Sequence, residues 1–171
     1  MKVRLVSYKS PIGELAFAFT EEGIMASSLK GTRALKTLLA SKGVRTVKEA
    51  RELPFDLREQ LDAYFSGQPI EFTAPLWFAW GTPFQRAVWE AIRTVPYGQT
   101  RSYSWLARQV GRPRAFRAVG QAVKANPIPL LVPCHRVIRA DGSIGGFTPG
   151  LEIKIWLLRL EGVLRETRLL K

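Results

Sequence analysis

The pattern of apolar and polar residues in the first half of the chain predicts a small α/β domain. Strand-like runs occupy residues 3–8, 13–19 and 24–29, and short turns containing Gly, Pro or Glu separate them. An antiparallel meander is the simplest sheet that such runs form. Leucines and aromatic residues at helical spacing then predict two helices, over residues 32–41 and 54–65.

The first half shows no group of reactive side chains. Residues 70–80 form an extended connector after a Gly-Gln-Pro stop. We therefore expect residues 1–77 to be a structural domain, a small antiparallel sheet flanked by helices.

The second half predicts helices that include a helix-turn-helix. A capping-box pattern at residues 82–85 begins the first helix. Its expected apolar stripe consists of Phe84, Ala87, Val88, Ala91, Ile92 and Val95. Ser102 is placed to cap a short helix over residues 103–110, and a turn containing Gly leads to a third, basic helix over about 114–125. Such a pattern is typical of DNA-binding domains, although alone it is a weak signal.

Three more elements follow the third helix. They are a turn at residues 140–143, a Gly-rich loop at 145–150 and a helix over 151–160 that ends at Glu161. A carboxylate at a helix C-terminus opposes the helix dipole, so Glu161 needs a compensating partner unless it is a solvated surface charge. Residues 78–171 are thus predicted to form a mainly α-helical domain.

Positive charge is concentrated in that second half. Residues 78–171 carry 15 Lys and Arg against 5 Asp and Glu, whereas residues 1–77 carry 11 against 9. No acidic residue lies between Glu90 and Asp141. Density of one sign predicts a surface that binds phosphates, with a generic basic surface as the alternative.

Composition excludes several classes of protein. Apolar residues make up 46% of the chain and charged residues 23%, as in ordinary globular domains. No apolar run has the length of a membrane span or of a secretory signal, so we expect a cytoplasmic protein that does not bind membranes. A single Cys cannot form an internal disulfide, and one Cys with one His cannot build a four-ligand zinc site unaided, so no metal is expected.

The only cysteine and the only histidine of the chain are adjacent, at Cys134 and His135. A thiol is a strong nucleophile as its thiolate, which a positive or proton-accepting neighbour such as His135 or Arg136 favours. Prolines hold the approach to this pair in rigid, non-repetitive backbone, which suits a preorganised site. A buried structural cysteine beside an unrelated histidine is the alternative.

Several motifs resemble those of the O6-alkylguanine-DNA alkyltransferases. They recur in order at matching spacing: Arg117-Ala118-Val119-Gly120, Asn126-Pro127, Pro133-Cys134-His135-Arg136-Val137, Gly145-Gly146-Phe147 and Glu161-Gly162. The resemblance is specific over about residues 82–162 and weaker before them. It implies an RNase H-like N-terminal domain and a winged-helix-like C-terminal domain.

The resemblance also implies an activity. A member of this family moves an alkyl group, such as methyl, from O6 of guanine in duplex DNA irreversibly to its own cysteine, once per molecule and without a cofactor. The implied catalytic roles are Cys134 as nucleophile, His135 as a base acting through a water, Glu161 as its orienting carboxylate, Tyr103 as proton donor to the departing guanine, and Asn126 as the residue that stabilises the preceding turn.

The third helix would enter the minor groove of the DNA. There Arg117 would fill the space of the everted nucleotide, and the small residues Ala118 and Gly120 would permit close approach. The alternative is that Arg117 makes one phosphate contact among many. Further expected DNA contacts are Arg101, Arg114 and Lys124.

The Gly-rich loop would form one wall of the guanine pocket. Phe147 is the expected stacking surface, where some members have Tyr, and Thr148 the expected hydrogen-bond partner. The remaining predicted pocket residues are Pro129, Val137, Gly145, Gly146 and Lys154. Arg136 is interpreted as either a structural ion pair or a phosphate contact.

The expected partner is double-stranded DNA that carries O6-alkylguanine. We expect a monomer, with cooperative binding along DNA left open, in the cytosol of a prokaryote or the nucleus of a eukaryote. Three other functions are weighed. A non-catalytic binder of alkylated DNA would not need Cys134, a transcription regulator would need larger side chains on the third helix, and a Cys-His hydrolase would turn over repeatedly.

Overall fold

The computed structural model describes residues 2–164, which divide into two compact units. One comprises the residues up to Ala79 together with Pro127–Pro129, and the other comprises Trp80–Asn126 and the residues from Leu130 onward. The short segment Pro127–Pro129 thus belongs with the first unit although it lies far along the chain.

The first unit is built on a four-stranded sheet of order β3-β2-β1-β4. Its strands are β1 (Val3–Ser10), β2 (Gly13–Thr20), β3 (Gly23–Ser28) and β4 (Val47–Glu49). The three predicted strands are confirmed and pair antiparallel, but β4 pairs parallel with β1. The expected antiparallel sheet is therefore mixed, because a three-residue edge strand is too short to show an alternating pattern.

Two helices accompany this sheet. Helix α1 (Thr32–Ser41) has the predicted bounds, whereas α2 (Leu57–Phe65) begins three residues later than expected. Phe55 and Asp56 each have a φ of 58°, a left-handed conformation that interrupts an α-helix before it starts.

The connector after α2 pairs with β3. The N–H of Ile24 donates to the Pro75 carbonyl (2.8 Å), and the Trp77 N–H donates to the Ile24 carbonyl (2.9 Å). Gly23 makes this approach possible, since a Cβ there would lie 2.5 Å from the Pro75 oxygen. Ser27 likewise bonds the segment Pro127–Pro129, donating its N–H to the Pro127 carbonyl (2.9 Å) and its hydroxyl to the Pro129 carbonyl (2.8 Å).

The second unit is mainly helical, as predicted. Its elements are α3 (Pro83–Arg93), β5 (Arg101–Ser102), α4 (Tyr103–Gln109), α5 (Phe116–Lys124), a 3-10 turn (Cys134–Arg136), β6 (Val137–Ile138) and α6 (Leu151–Leu160). The two short strands pair parallel, which the sequence pattern did not indicate.

The predicted caps of this unit are present. Thr82 Oγ1 accepts the Gln85 N–H (3.1 Å) while Gln85 Oε1 accepts the Thr82 N–H (3.0 Å), and Ser102 Oγ accepts the Trp105 N–H (3.0 Å). Each cap satisfies a backbone donor that a helix start leaves unpaired. Helix α5 begins at Phe116 and is shorter at both ends than expected.

The buried face of α3 differs from the expected stripe. Val88 and Ile92 are buried as predicted, but Trp89 is buried with them, whereas Ala87 is exposed. The Trp89 indole N–H donates to the Ala122 carbonyl of α5 (2.7 Å), so this one side chain ties the two helices together.

Candidate active site and nucleic-acid interface

Cys134 opens the 3-10 turn and is 6% exposed. Its N–H donates to the Val132 carbonyl (2.7 Å), and Leu130 just before it has a φ of 78°, which is strained for a leucine. Burial raises the pKa of the Cys134 thiol to about 11, while a hydrogen bond from Asn126 and the nearby charge of Lys154 act to lower it. The resting thiol is thus protonated at neutral pH.

Asn126 fixes the turn that leads to this cysteine. Its Nδ2 donates to the Val132 carbonyl (3.0 Å), six residues along the chain. Because the same side chain also bonds the thiol of Cys134, one amide holds both the backbone before the cysteine and the sulfur itself.

His135 and Glu161 form a buried pair. His135 Nε2 lies 2.6 Å from Glu161 Oε2, and both side chains are shielded from solvent. Burial lowers the pKa of His135, although the Glu161 carboxylate acts in the opposite direction. The neutral ring therefore donates its Nε2–H to the carboxylate and keeps Nδ1 as a bare acceptor. Within residues 2–164, this buried Nδ1 has no hydrogen-bond partner.

Arg136 holds the other side of Glu161. Its Nε donates to Oε1 (2.8 Å) and its Nη2 to Oε2 (3.2 Å), while Nη1 donates to the Val95 carbonyl (2.8 Å). The side chain is buried, so it is a structural ion pair and the phosphate-contact interpretation was wrong.

The Glu161 carboxylate accepts hydrogen bonds from all parts of this network. It is 5% exposed, which excludes a solvated surface charge, and its Oε1 also accepts the Gly98 N–H (3.1 Å). Burial alone would raise its pKa, but the hydrogen bonds from His135 and Arg136 and the positive charge of Arg136 outweigh burial and hold the pKa at about 2. These partners compensate the unfavourable position of a carboxylate at the end of α6.

Lys154 is fully buried on α6. Its ammonium donates to the Val137 carbonyl (2.7 Å) and to the Gly146 carbonyl (3.2 Å), joining the residue after the 3-10 turn to the Gly-rich loop. Burial lowers its pKa to about 8, partly offset by the nearby Cys134. This places a positive charge close to the sulfur, where it stabilises a thiolate.

Tyr103 lies at the start of α4 next to both the sulfur and the loop. Burial raises the pKa of its phenol, and Cys134 raises it further. The loop approaches its ring closely at Gly145, whose φ is +75° and where a Cβ would lie 3.6 Å from Tyr103 Cε2. The predicted donor therefore keeps its proton at neutral pH.

The other predicted pocket residues differ in their burial. Val137 is buried, Phe147 is half-buried, and Gly146 and Thr148 are exposed on the loop. The Gly150 N–H donates to the Phe147 carbonyl (3.0 Å), which closes the loop before α6. Pro129 belongs to the first unit, where it accepts the Ser27 hydroxyl, and its role in a pocket stays a prediction.

The outer face of α5 is basic and includes small residues. Arg117, Ala118 and Lys124 are exposed, Arg114 is exposed in the turn before the helix, and a Cβ at Gly120 would meet no neighbour. In residues 2–164, no carboxylate forms a salt bridge with these three basic side chains. Unpaired positive charge beside small residues suits the close approach of a DNA backbone.

Arg101 differs from these residues because local contacts restrain it. Its guanidinium donates to the Thr100 carbonyl (2.9 Å) and the Gln99 side chain (2.8 Å), and it lies 5.6 Å from the Trp105 ring centre. Its predicted DNA contact is untested by this geometry.

Sequence reasoning missed the residues that support Glu161 from the end of α3. They lie in the Pro-Tyr-Gly at residues 96–98, where the Gly98 N–H binds the carboxylate and the Tyr97 ring lies 5.9 Å from the Arg136 guanidinium carbon. No signal in the sequence marks a backbone donor of this kind.

Comparison with known proteins decides the family. Residues 3–78 match the model of the ribonuclease-like domain of 6-O-methylguanine DNA methyltransferase, and residues 83–163 match that of its DNA-binding domain. The chain belongs to this family. The resemblance seen in its motifs is therefore confirmed, and the N-terminal half shares the match.

Related proteins from several organisms support this assignment. A methylated-DNA--protein-cysteine methyltransferase of Methanosarcina acetivorans is 42% identical over 91% of this chain and 96% of its own length. A Bacillus subtilis protein, the constitutive methylated-DNA--protein-cysteine methyltransferase, is 39% identical over 91% and 93%. Among solved structures, Mycobacterium tuberculosis OGT in complex with DNA has a TM-score of 0.80 at 36% identity, covering 93% of each chain.

The described residues contain neither a candidate metal cluster nor a candidate membrane-spanning helix. Over residues 2–164, no three His, Cys, Asp or Glu side chains are grouped so as to hold a metal ion. No helix in that range is long and apolar enough to cross a membrane.

Proposed function

We propose that this family member repairs DNA by transferring an alkyl group from O6 of guanine in duplex DNA to Cys134. The observation that carries the proposal is the buried thiol of Cys134, on which Asn126 and Lys154 act, together with the buried pair of neutral His135 and ionised Glu161. Relatives named methylated-DNA--protein-cysteine methyltransferase are similar in sequence to this chain over nearly its full length.

The chemical step is a displacement at the alkyl carbon. His135 Nδ1 takes the thiol proton through a bridging water, and Glu161 stabilises the imidazolium that results. The sulfur then forms a bond to the alkyl carbon while the bond from that carbon to O6 breaks, and the electron pair remains on guanine. Because the product is a thioether with no leaving group, each molecule reacts once.

Two positive or proton-donating groups assist the same step. Lys154 stabilises the thiolate before attack, since its ammonium lies close to the sulfur in a site of low dielectric. Tyr103 donates its phenolic proton as negative charge develops on the departing guanine, and its raised pKa keeps that proton available. Phe147 and Thr148 contact the base from the loop.

DNA is bound through the helix-turn-helix, with α5 in the minor groove. A guanine inside a duplex cannot reach a buried thiol, so the nucleotide must be everted, and Arg117 takes its place in the stack. Arg114, Lys124 and Arg101 contact phosphates, while Ala118 and Gly120 let the helix approach the groove.

The remaining features of the proposal concern the whole protein. Residues 1–77 support the fold, and residues 78–171 bind DNA and carry the transfer. The protein acts as a monomer, since one chain supplies every residue of the relay, and it works where its DNA substrate lies, in the cytosol of a prokaryote or the nucleus of a eukaryote.

Intact mass spectrometry tests the activity directly. The protein is mixed with an equimolar duplex carrying one O6-methylguanine, and the expected result is the gain of one methyl group on Cys134. Tight binding to the lesion without any gain in mass would instead support a non-catalytic damage sensor.

A further inference from the structure

Phe116 is an unusual residue for the surface that it occupies. It is the first residue of α5, it is 52% exposed, and the only other large apolar side chain in residues 2–164 with comparable exposure is Leu151. Covering an exposed aromatic ring is energetically favourable, so its exposure indicates a surface that binds a ligand or partner.

The surroundings of Phe116 identify what would cover it. Arg117 follows it directly, Arg114 precedes it by two residues, and both are exposed. One helical turn further on lies Gly120, where a Cβ would meet nothing, so no side chain from that position shields the ring. An exposed aromatic ring amid unpaired positive charge suits a ligand with both phosphates and flat apolar surfaces, which describes duplex DNA.

We infer that Phe116 inserts as an apolar wedge against the base step beside the everted guanine and helps to hold the DNA open. This inference rests on the proposed function, because it requires that α5 lie in the minor groove. Apolar side chains placed in a minor groove unstack the bases there, and an aromatic ring recovers part of that cost by stacking. Arg117 would fill the vacated position while Phe116 keeps the neighbouring base pair displaced.

The test compares Phe116→Ala with wild-type protein on two substrates. The rate constant for alkyl transfer is measured with duplex O6-methylguanine and with free O6-benzylguanine, which needs no eversion. We expect the duplex rate to fall roughly tenfold, the size of one lost stacking contact, and the free-base rate to stay unchanged. Phe116→Trp should restore the duplex rate, since it keeps an aromatic ring.

The matched control is Leu151→Ala, which removes the other exposed apolar side chain and should leave the ratio of the two rates at its wild-type value. An unchanged duplex rate for Phe116→Ala, or an equal loss on both substrates, would overturn the wedge. If wild-type protein itself reacts with neither substrate, the proposed function fails, so the two failures are distinguishable.

A second measurement follows the DNA. In the Cys134→Ser background, where transfer is blocked, 2-aminopurine next to the lesion should become brighter on binding as it unstacks. The further change Phe116→Ala should reduce that increase, and the same fluorescence with and without the ring would contradict the inference.

Discussion

Arg136 acts on the protonation of both Glu161 and His135. It keeps Glu161 ionised with two direct hydrogen bonds, and its positive charge helps to lower the pKa of His135. In the proposed mechanism a neutral His135 accepts the thiol proton, so we propose that Arg136 acts as a positioning residue for the base.

Replacing Arg136 by Met should therefore have two effects. Leaving a buried carboxylate without its partner costs about 3–5 kcal/mol of unfolding free energy. In the folded fraction the pKa of His135 should rise, which moves the acidic limb of the rate profile to higher pH. Urea unfolding and the rate with free O6-benzylguanine as a function of pH measure the two effects.

Arg93 provides the control for that substitution. It forms an exposed ion pair with Glu90 at 3.2 Å, so Arg93→Met should change stability by less than about 1 kcal/mol and leave the pH profile in place. Arg136→Lys retains the charge and should recover the wild-type profile in part. A Met variant with the wild-type profile would show that Arg136 does not act on the base.

The sequence alone identified part of this site. The adjacency of Cys134 and His135 is visible in the sequence, and the resemblance brought in Glu161, Tyr103 and Asn126. The role of Arg136 stayed open, because a basic residue beside a nucleophile looks the same whether it is buried or exposed. Only the fold brings Arg136 and the Gly98 N–H to the Glu161 carboxylate at the end of α6.

At the scale of single elements, α5 has an exposed basic face and a buried apolar face. Its outer face exposes Phe116, Arg117 and Ala118, whereas its inner face packs Val119, Ala122 and Val123 into the core. The helix is therefore held firmly from behind while its exposed side chains remain available to DNA.

Arg117→Ala should slow repair of duplex DNA far more than reaction with free O6-benzylguanine. The expected loss on duplex is roughly 10- to 100-fold, because eversion costs a few kcal/mol and only the duplex reaction requires it. Rate constants for both substrates give the ratio. Gln121→Ala, an exposed neutral position on the same helix, should preserve both rates, and equal losses for Arg117→Ala on the two substrates would refute its role in eversion.

Element boundaries were predicted well where local chemistry decides them. The capping box of α3 and the Ser102 cap of α4 depend on local side chains whose types are visible in the sequence. The parallel strand β4 and the pairing of β5 with β6 depend on partners distant in sequence, so two or three residues gave no usable pattern. Trp89 was missed because it lies beside the ideal stripe of α3 rather than on it.

At the scale of the whole molecule, the excess of positive charge should appear as a salt-dependent affinity for undamaged duplex DNA. Each phosphate contact contributes a slope of about −0.9 to the logarithm of the binding constant against the logarithm of salt concentration. Lys124→Ala should reduce the magnitude of that slope by about one unit. Arg33→Ala, an exposed change in α1 of the first unit, should leave it unchanged, and equal effects of the two variants would argue against a localised interface.

Stability should also fall in acid in a way that Glu161 governs. The pKa of this carboxyl is lowered from 4.5 to about 2 in the folded protein, so its contribution is complete above 4.5 and is lost as the pH falls towards 2. The lowered pKa of His135 acts in the same direction below 6.5, since the unfolded chain then takes up a proton that the folded chain resists.

Urea unfolding between pH 7 and pH 2.5 measures this dependence. Glu161→Gln cannot titrate, so below pH 4.5 its unfolding free energy should change less steeply than that of the wild type. Parallel curves for the two proteins over that interval would mean that Glu161 is not the group whose protonation weakens the fold.

The most direct test of the account is the mass of the protein after it meets one equivalent of duplex O6-methylguanine, followed by peptide mapping. We expect one added methyl group per molecule, located on Cys134, with no second addition when more DNA is supplied and none in Cys134→Ser. An unmodified protein, or continued turnover of the lesion by a small amount of protein, would contradict single-use transfer to Cys134.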